Sequence, residues 1–137
     1  MKEKLFTDTL KRNHYNVTPE RLKIFNILES EKSPCSIDKL VFLASKSVDR
    51  STVYRNLELF EKLGVTKRVF SGFKYQVELS DMFKPHHHHM TCTNCGSITP
   101  FRESKTLETQ LKNLERDHKF KATAHSLELS GLCKNCF

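Results

Sequence analysis

The middle of the chain carries four consecutive histidines, His86 to His89, which lead after two residues into a Cys-x-x-Cys pair. A second Cys-x-x-Cys pair closes the sequence. An affinity tag would lie at a terminus, so we interpret the histidines as part of the protein. Because potential metal ligands so far apart in sequence must converge on folding, this stretch constrains the C-terminal half more than any other feature.

Four cysteines in two pairs predict a structural zinc site, formed by Cys92, Cys95, Cys133 and Cys136. Tetrahedral thiolates are the closed ligand set that zinc prefers. Two redox-active dithiols and an iron–sulfur centre are the alternatives. Zinc would tie the end of the chain to its middle, and its binding would be part of the folding free energy. The fifth cysteine, Cys35, is expected to be a small buried residue.

The histidine run predicts ligands for two further sites. Side chains alternate faces on a strand, so His86 and His88 would point one way and His87 and His89 the other. Each pair needs ligands from other parts of the chain. Candidates by residue type and predicted position are His125, Glu108, His118, and Glu78 or Gln76.

The N-terminal half predicts four helices from the spacing of its apolar residues, over residues 2–14, 19–30, 37–46 and 50–63. Thr18-Pro19 and Ser36 are helix-start signals, and either Ser51 or Asp49 caps the fourth helix. Gly64 ends that helix. A short helix, a tight connection and a second helix with polar residues at its N-terminal end indicate a helix-turn-helix.

A basic hairpin follows, with strands over residues 65–70 and 73–79 around a tight turn at Ser71-Gly72. Helices followed by such a hairpin predict a winged helix, in which the wing lies along phosphates while a helix enters the major groove. The alternative is an ordinary helical domain with a surface hairpin. The residues predicted to contact DNA are Arg50, Ser51, Thr52, Tyr54, Arg55, Asn56, Lys67, Arg68 and Lys74.

The fold class predicted is α+β, with an N-terminal winged helix-turn-helix domain and a small α/β dimerisation domain that carries the four-cysteine zinc site. The domains are predicted at residues 1–80 and 86–137, with a linker at 81–85. The second domain should contain strands at 86–91, 97–101 and 120–129, and a helix capped by Ser104 with one stripe of Leu107, Leu111, Leu114 and His118. So few elements bury little surface alone, which predicts a homodimer.

Charge and compartment agree with this interpretation. The formal net charge is +7, and residues 1–80 hold 15 Lys and Arg against 10 Asp and Glu. A basic excess suggests a polyanionic partner such as double-stranded DNA without establishing one. No apolar run approaches the roughly 20 residues that span a bilayer, and no signal peptide is evident, so a cytoplasmic protein is expected.

The sequence resembles the ferric uptake regulator family, which includes iron, zinc and peroxide sensors. The resemblance covers nearly the whole chain and rests on Thr18-Pro19-x-Arg21, Ser51-Thr52-Val53-Tyr54-Arg55-x-Leu57, Gly64, the histidine run, and both cysteine pairs with Gly96. It implies a homodimeric, metal-dependent transcription regulator, usually a repressor, that binds a pseudo-palindromic A/T-rich operator. It further implies DNA contacts by Tyr54 and Arg55, structural Zn²⁺ on the cysteines, and a second divalent metal, Zn²⁺ or Fe²⁺ or Mn²⁺.

By the same resemblance, the regulatory site of the dimerisation domain would consist of His86, His88, Glu108 and His125. The family's interdomain site uses the other histidine pair, a histidine from the DNA-binding domain and acidic ligands. This chain has Pro34 and Pro100 where two of those ligands are expected. Either the interdomain site is weak or lost, with His87, His89 and Glu78 as its remnant, or Glu78 completes it with Asp81 or Cys35. We prefer the first hypothesis.

Three rival functions are open to test. A peroxide sensor of the same family would release DNA on peroxide treatment only in its iron form. A zinc-ribbon interaction protein would explain the cysteines but not the histidine run. A metalloenzyme is disfavoured, because the chain has no His-Glu-x-x-His pattern or nucleophile motif and its basic winged helix would then have no role.

Overall fold

A computed structural model of the protein describes residues 1–71 and 74–137. It combines helix and sheet in the order α1 (Lys2–Arg12), α2 (Pro19–Ser30), α3 (Ile37–Ala44), α4 (Arg50–Lys62), β1 (Thr66–Ser71), β2 (Lys74–Leu79), β3 (His88–Cys92), β4 (Ile98–Phe101), α5 (Lys105–Asp117) and β5 (Glu128–Gly131). Within the described ranges, every helix is too short or too polar to cross a bilayer. The α+β fold class is confirmed.

The chain divides into two compact units, Met1–Pro85 and His86–Phe137. Residues 81–85, which we predicted to be a linker, belong to the first unit. Phe83 packs edge-on against Phe25, with ring centroids 5.1 Å apart, and Lys84 donates a 3.0 Å hydrogen bond to the backbone carbonyl of Glu31. These contacts fix the segment just before the histidine run on the helices of the first unit.

Helices α1 to α4 and the hairpin β1–β2 form the first unit, a winged helix-turn-helix. The predicted caps are present: the side chains of Thr18, Ser36 and Asp49 accept hydrogen bonds from backbone N–H groups three residues later. Of the two candidates for α4, Asp49 is therefore the cap. Gly64 follows α4 with a φ of +72°, a backbone conformation that glycine adopts without strain. These signals account for where α2, α3 and α4 begin and for where α4 ends.

The hairpin pairs Thr66 with Leu79 and Ser71 with Lys74 in antiparallel register. Gly72, where the tight turn is predicted, and Phe73, where the second strand is predicted to begin, lie outside the described residues. The inner face of the hairpin joins the core through Val77 and Leu79, both buried. At the centre of that core, Phe6 stacks on Phe25 with ring centroids 4.3 Å apart.

The second unit is a three-stranded sheet in the order β4-β3-β5, with α5 following β4. β3 pairs antiparallel with β4 and parallel with β5. The prediction of a strand over residues 120–129 is wrong for most of that range. The strand observed there is Glu128–Gly131, which pairs with β3. Ser104 caps α5 as predicted, and no residue of that fully described helix is buried.

Candidate metal centres and DNA-binding face

The four cysteines converge on one point in the second unit. Their sulfur atoms lie within 4.8 Å of one another. The sulfurs of Cys95 and Cys133 are 3.8 Å apart, which is about the sulfur–sulfur separation around a tetrahedral zinc with Zn–S bonds of about 2.3 Å. Gly96 closes the knuckle with a φ of +76°, which glycine tolerates best. The geometry fits a structural zinc ion.

Hydrogen bonds already favour a negative charge at this cluster. The backbone N–H groups of Cys95 and Cys133 point at the sulfur of Cys92, at 3.5 and 3.4 Å. They lower the pKa of Cys92 to about 6. Ser97 lowers the pKa of Cys95. The Asn94 amide also lowers the pKa of Cys136, but interaction with Cys133 and burial outweigh it and bring that pKa to about 11. Donors aimed at sulfur suit thiolates that bind a cation.

A second cluster contains His86, His88, Glu103 and His125, whose ligand atoms also lie within 4.8 Å of one another. The Nε2 atoms of His86 and His125 are 3.1 Å apart, and Oε2 of Glu103 is 2.7 Å from Nε2 of His88. Two imidazole nitrogens on one tetrahedral ion at about 2.0–2.1 Å would be about 3.3 Å apart. Three imidazoles and a carboxylate at these distances fit a divalent metal ion.

The carboxylate of this cluster is Glu103 and not Glu108, the residue that the family resemblance implies. Glu108 is exposed in the first turn of α5 and forms an ion pair with Lys112 at 3.4 Å. His88 is opposite Phe101 across the β3–β4 ladder, so the two side chains share a face. Glu103 comes two residues after Phe101 and reaches the same histidine. Strand alternation beyond Phe101 was the sequence signal that could have identified it.

Electrostatics support Glu103 as a ligand. The hydrogen bonds from His88 and then from His125 hold the pKa of Glu103 below its ordinary value, although burial opposes the shift. The His125 contact is 3.2 Å long. An ionised carboxylate among neutral imidazoles is the protonation state that metal binding requires.

The other histidine pair also behaves as strand alternation predicts. The rings of His87 and His89 contact each other with centroids 4.9 Å apart. Across the ladder, the residue opposite His89 is Pro100, which offers no side-chain ligand. Glu78, the carboxylate predicted to join them, belongs to the first unit, where Lys67 lies 3.6 Å from its Oε1 atom. The predicted set of His87, His89 and Glu78 stays a prediction.

The predicted DNA-contacting residues fall into two groups on α4. Arg50, Ser51, Tyr54 and Arg55 are exposed, and Thr52 is half-buried. Asn56 is buried, and its amide is used inside the protein. Its Oδ1 accepts a 3.0 Å hydrogen bond from Nε of Arg21, and its Nδ2 donates to the carbonyl of Thr52. Asn56 therefore holds α4 to α2 and does not lie on the exposed face as predicted.

The basic residues of the hairpin are not equally available to a phosphate. Lys67 forms an ion pair with Asp81 at 2.9 Å, and Arg68 forms one with Glu61 at 2.9 Å while lying over the Tyr75 ring. Lys74 is exposed at the start of β2. For Lys67 and Arg68, contact with phosphate would mean exchanging an existing acidic partner.

The family model described as the ferric uptake regulator family matches residues 12–130. The chain belongs to the ferric uptake regulator family. Its members are metal-responsive transcription regulators. The chain is 41% identical over 91 residues to the ferric uptake regulation protein of Campylobacter jejuni, an alignment that spans 66% of this chain and 56% of that protein. Its identity to the Legionella pneumophila ferric uptake regulation protein is 33%, over 93% of this chain and 95% of that protein.

Solved structures show the same fold. The Helicobacter pylori ferric uptake regulator Fur, which has three functional metal binding sites, superposes with a TM-score of 0.85. The alignment covers 98% of this chain and 91% of that one at 21% identity. At that identity the comparison supports the fold alone, and the ligands of this chain have to be argued from its own residues.

Proposed function

We propose that the protein is a metal-dependent repressor that binds a pseudo-palindromic, A/T-rich operator as a homodimer. The observation that carries the proposal is the convergence of His86, His88, Glu103 and His125 on one point in the second unit. A cluster of this kind, in a chain that also contains a winged helix-turn-helix, suits a regulator whose DNA binding depends on a bound metal.

Recognition of DNA is assigned to the exposed face of α4, with Tyr54 and Arg55 reading bases beside Ser51 and Thr52. Lys74 of the hairpin would contact phosphate, and so would Lys67 and Arg68 after exchange of their acidic partners. Arg21 and Asn56 would support this face by fixing the position of α4.

Dimerisation is assigned to the second unit, because several of its large apolar residues are left uncovered by the described part of their own chain. Leu114 on α5 is 55% exposed, Phe120 after it 68%, and Leu129 on β5 50%. A partner subunit would cover these apolar residues.

The two metal centres are assigned different tasks. Cys92, Cys95, Cys133 and Cys136 would hold structural Zn²⁺, whose binding stabilises the fold. His86, His88, Glu103 and His125 would hold the regulatory Zn²⁺, Fe²⁺ or Mn²⁺, since imidazole and carboxylate ligands accept all three according to supply. Binding would regulate by shifting the population toward the conformer with the higher metal affinity.

The third set, His87, His89 and Glu78, is proposed as a weak or lost interdomain site. Pro100 opposite His89 removes one possible ligand. The alternative completion by Cys35 or Asp81 is disfavoured by their surroundings. Burial raises the pKa of Cys35 to about 11, far from the thiolate form that binds metal, and Asp81 is held by Lys67 at 2.9 Å.

The experiment begins by selecting a binding site from a pool of random DNA duplexes, with zinc, ferrous iron or manganese added back to purified apoprotein. Binding to the selected duplex is then measured against metal concentration. We expect His125→Ala and Glu103→Gln to raise the metal concentration required by at least roughly ten-fold, with one zinc per chain retained at the cysteines. Glu108→Gln and His118→Ala are the matched controls and should behave like the wild type.

Other results would contradict the proposed function or the proposed metal ligands. One metal per chain and no selected DNA site would favour the zinc-ribbon interaction protein. Loss of metal response in Glu108→Gln, with Glu103→Gln unaffected, would return the site to the ligand set that the resemblance implies. Peroxide-dependent release by the iron form alone would identify a peroxide sensor.

A further inference from the structure

We propose that Arg50, held in position by Asp38, recognises a G·C base pair in each half-site, so that the operator is not read through A·T pairs alone. This inference rests on the proposed function. Arg50 is the first residue of α4 and directly follows the capping Asp49. The N-terminal residues of a recognition helix are those that reach base edges in the major groove.

Arg50 is tied to the other helix of the helix-turn-helix. Its Nη1 donates a 3.1 Å hydrogen bond to Oδ1 of Asp38 in the first turn of α3. The two side chains are 59% and 83% exposed. An ion pair so exposed contributes little to stability. Its consequence is geometric, because it favours one direction for a guanidinium group on a long and flexible side chain.

The hydrogen-bonding groups of Arg50 and Asp38 match those of a G·C base pair. The bond to Asp38 uses one of the five N–H donors of the guanidinium group. Guanine presents two acceptors in the major groove, O6 and N7, which match the planar fork of arginine. The cytosine paired with it presents an N4 amino donor, which a carboxylate accepts. Arg50 and Asp38 together offer donors beside an acceptor, the complement of one G·C pair.

The bond to Asp38 also preorganises Arg50 for binding. A free arginine side chain loses rotamer entropy on binding, and the bond to Asp38 has already removed part of that freedom. The Asp38 carboxylate also raises the pKa of Arg50 by accepting this hydrogen bond, with burial opposing the shift. Tyr54 lies one helical turn further along α4 and is likewise exposed.

The test repeats the selection from a random duplex pool with metal-loaded wild type, Arg50→Ala, Arg50→Lys, Asp38→Asn and Lys62→Ala. Lys62 is the matched control, because it carries the same charge in the last turn of the same helix. We expect the wild-type motif to contain a G·C position in each half-site. Arg50→Ala should lose preference there on the order of ten- to a hundred-fold. Arg50→Lys should lose part of it, because lysine lacks the planar fork and cannot keep the same geometry with Asp38. Asp38→Asn should lose less, and Lys62→Ala none.

The competing role for Arg50 is a phosphate contact. In that case Arg50→Ala would weaken binding to all sequences equally and reduce the salt slope by about 1, with the motif unchanged. That result would overturn the proposal. A wild-type protein that selects no motif would overturn the proposed function itself. An unchanged G·C preference in Asp38→Asn would overturn the positioning role of Asp38. Circular dichroism of each exposed-site variant verifies that the fold is retained.

Discussion

The two units are stabilised in different ways. All members of the hydrophobic core cluster lie between Phe6 and Phe83, in the first unit. In the second unit, which is fully described, the buried residues are Ile98 and three of potential ligand type, His88, His89 and Cys92. A unit of this size with so small an apolar core depends on metal ions or a partner subunit for stability. Within one chain, apolar burial stabilises the first unit, whereas we propose that metal binding stabilises the second.

Zinc removal should produce the largest effect and separate the two units. Binding of a structural zinc contributes on the order of 10 kcal/mol or more in small zinc domains. We therefore expect a strong chelator, or Cys133→Ser, to unfold the second unit while helices α1 to α4 keep their amide protection. Hydrogen exchange read by mass spectrometry, under reducing conditions, reports the two regions separately.

The matched control for that experiment is Cys35→Ser, which removes the one cysteine outside the cluster. It should leave one zinc per chain at the cysteine site, whereas Cys133→Ser should lose it. If the second unit stayed protected after the zinc had been removed, its stability would have to come from elsewhere, and the contrast between the units would fail.

Core truncation should produce the next largest effect and act on the first unit. Phe6 is fully buried between Phe25 and Phe60, with ring centroids at 4.3 and 5.1 Å. Phe6→Ala should lower the free energy of unfolding by about 3–5 kcal/mol, because it leaves a cavity as well as removing apolar contacts. Urea unfolding followed through the helical signal measures this loss, with and without chelator.

The loss caused by Phe6→Ala should be the same in both conditions, since the cysteine and histidine clusters belong to the other unit. Phe70→Ala is the control: that ring is 54% exposed, so its removal should change stability by less than about 0.5 kcal/mol. A Phe6→Ala loss that depended on metal would mean that the units do not unfold independently.

The same contrast explains which features the sequence could predict. Local signals sufficed for the first unit: the caps at Thr18 and Ser36, the glycine after α4, and helical apolar spacing. The burial of Asn56 was missed, although it follows Val53 by three residues and precedes Phe60 by four, on the buried side of the helix. Its polarity suggested an exposed position, whereas its hydrogen bond with Arg21 satisfies it inside.

In the second unit, prediction depended on how distant segments meet. The predicted alternation correctly separated the two histidine pairs, although β3 begins at His88 and not at His86, because the two residues before the strand continue its alternation. The carboxylate partner was predicted from a family pattern as Glu108, whereas register across β3 and β4 brings Glu103 to His88. The strand predicted from residue 120 pairs with β3 only from Glu128 onward, which sequence periodicity alone cannot reveal.

Helix caps provide the smallest and most direct comparison between the units. Thr18 caps α2 and Ser104 caps α5 in the same way: each hydroxyl oxygen accepts a hydrogen bond from a backbone N–H three residues later, at 3.3 and 3.2 Å. Thr18→Ala should lower the free energy of unfolding of the first unit by about 1 kcal/mol. Ser104→Ala should lower that of the second unit by a similar amount. Because Glu103 directly precedes Ser104, the second variant should also weaken binding at the histidine cluster. Thermal unfolding and metal titration of both variants test this, and equal metal affinity in the two would mean that the cap does not position Glu103.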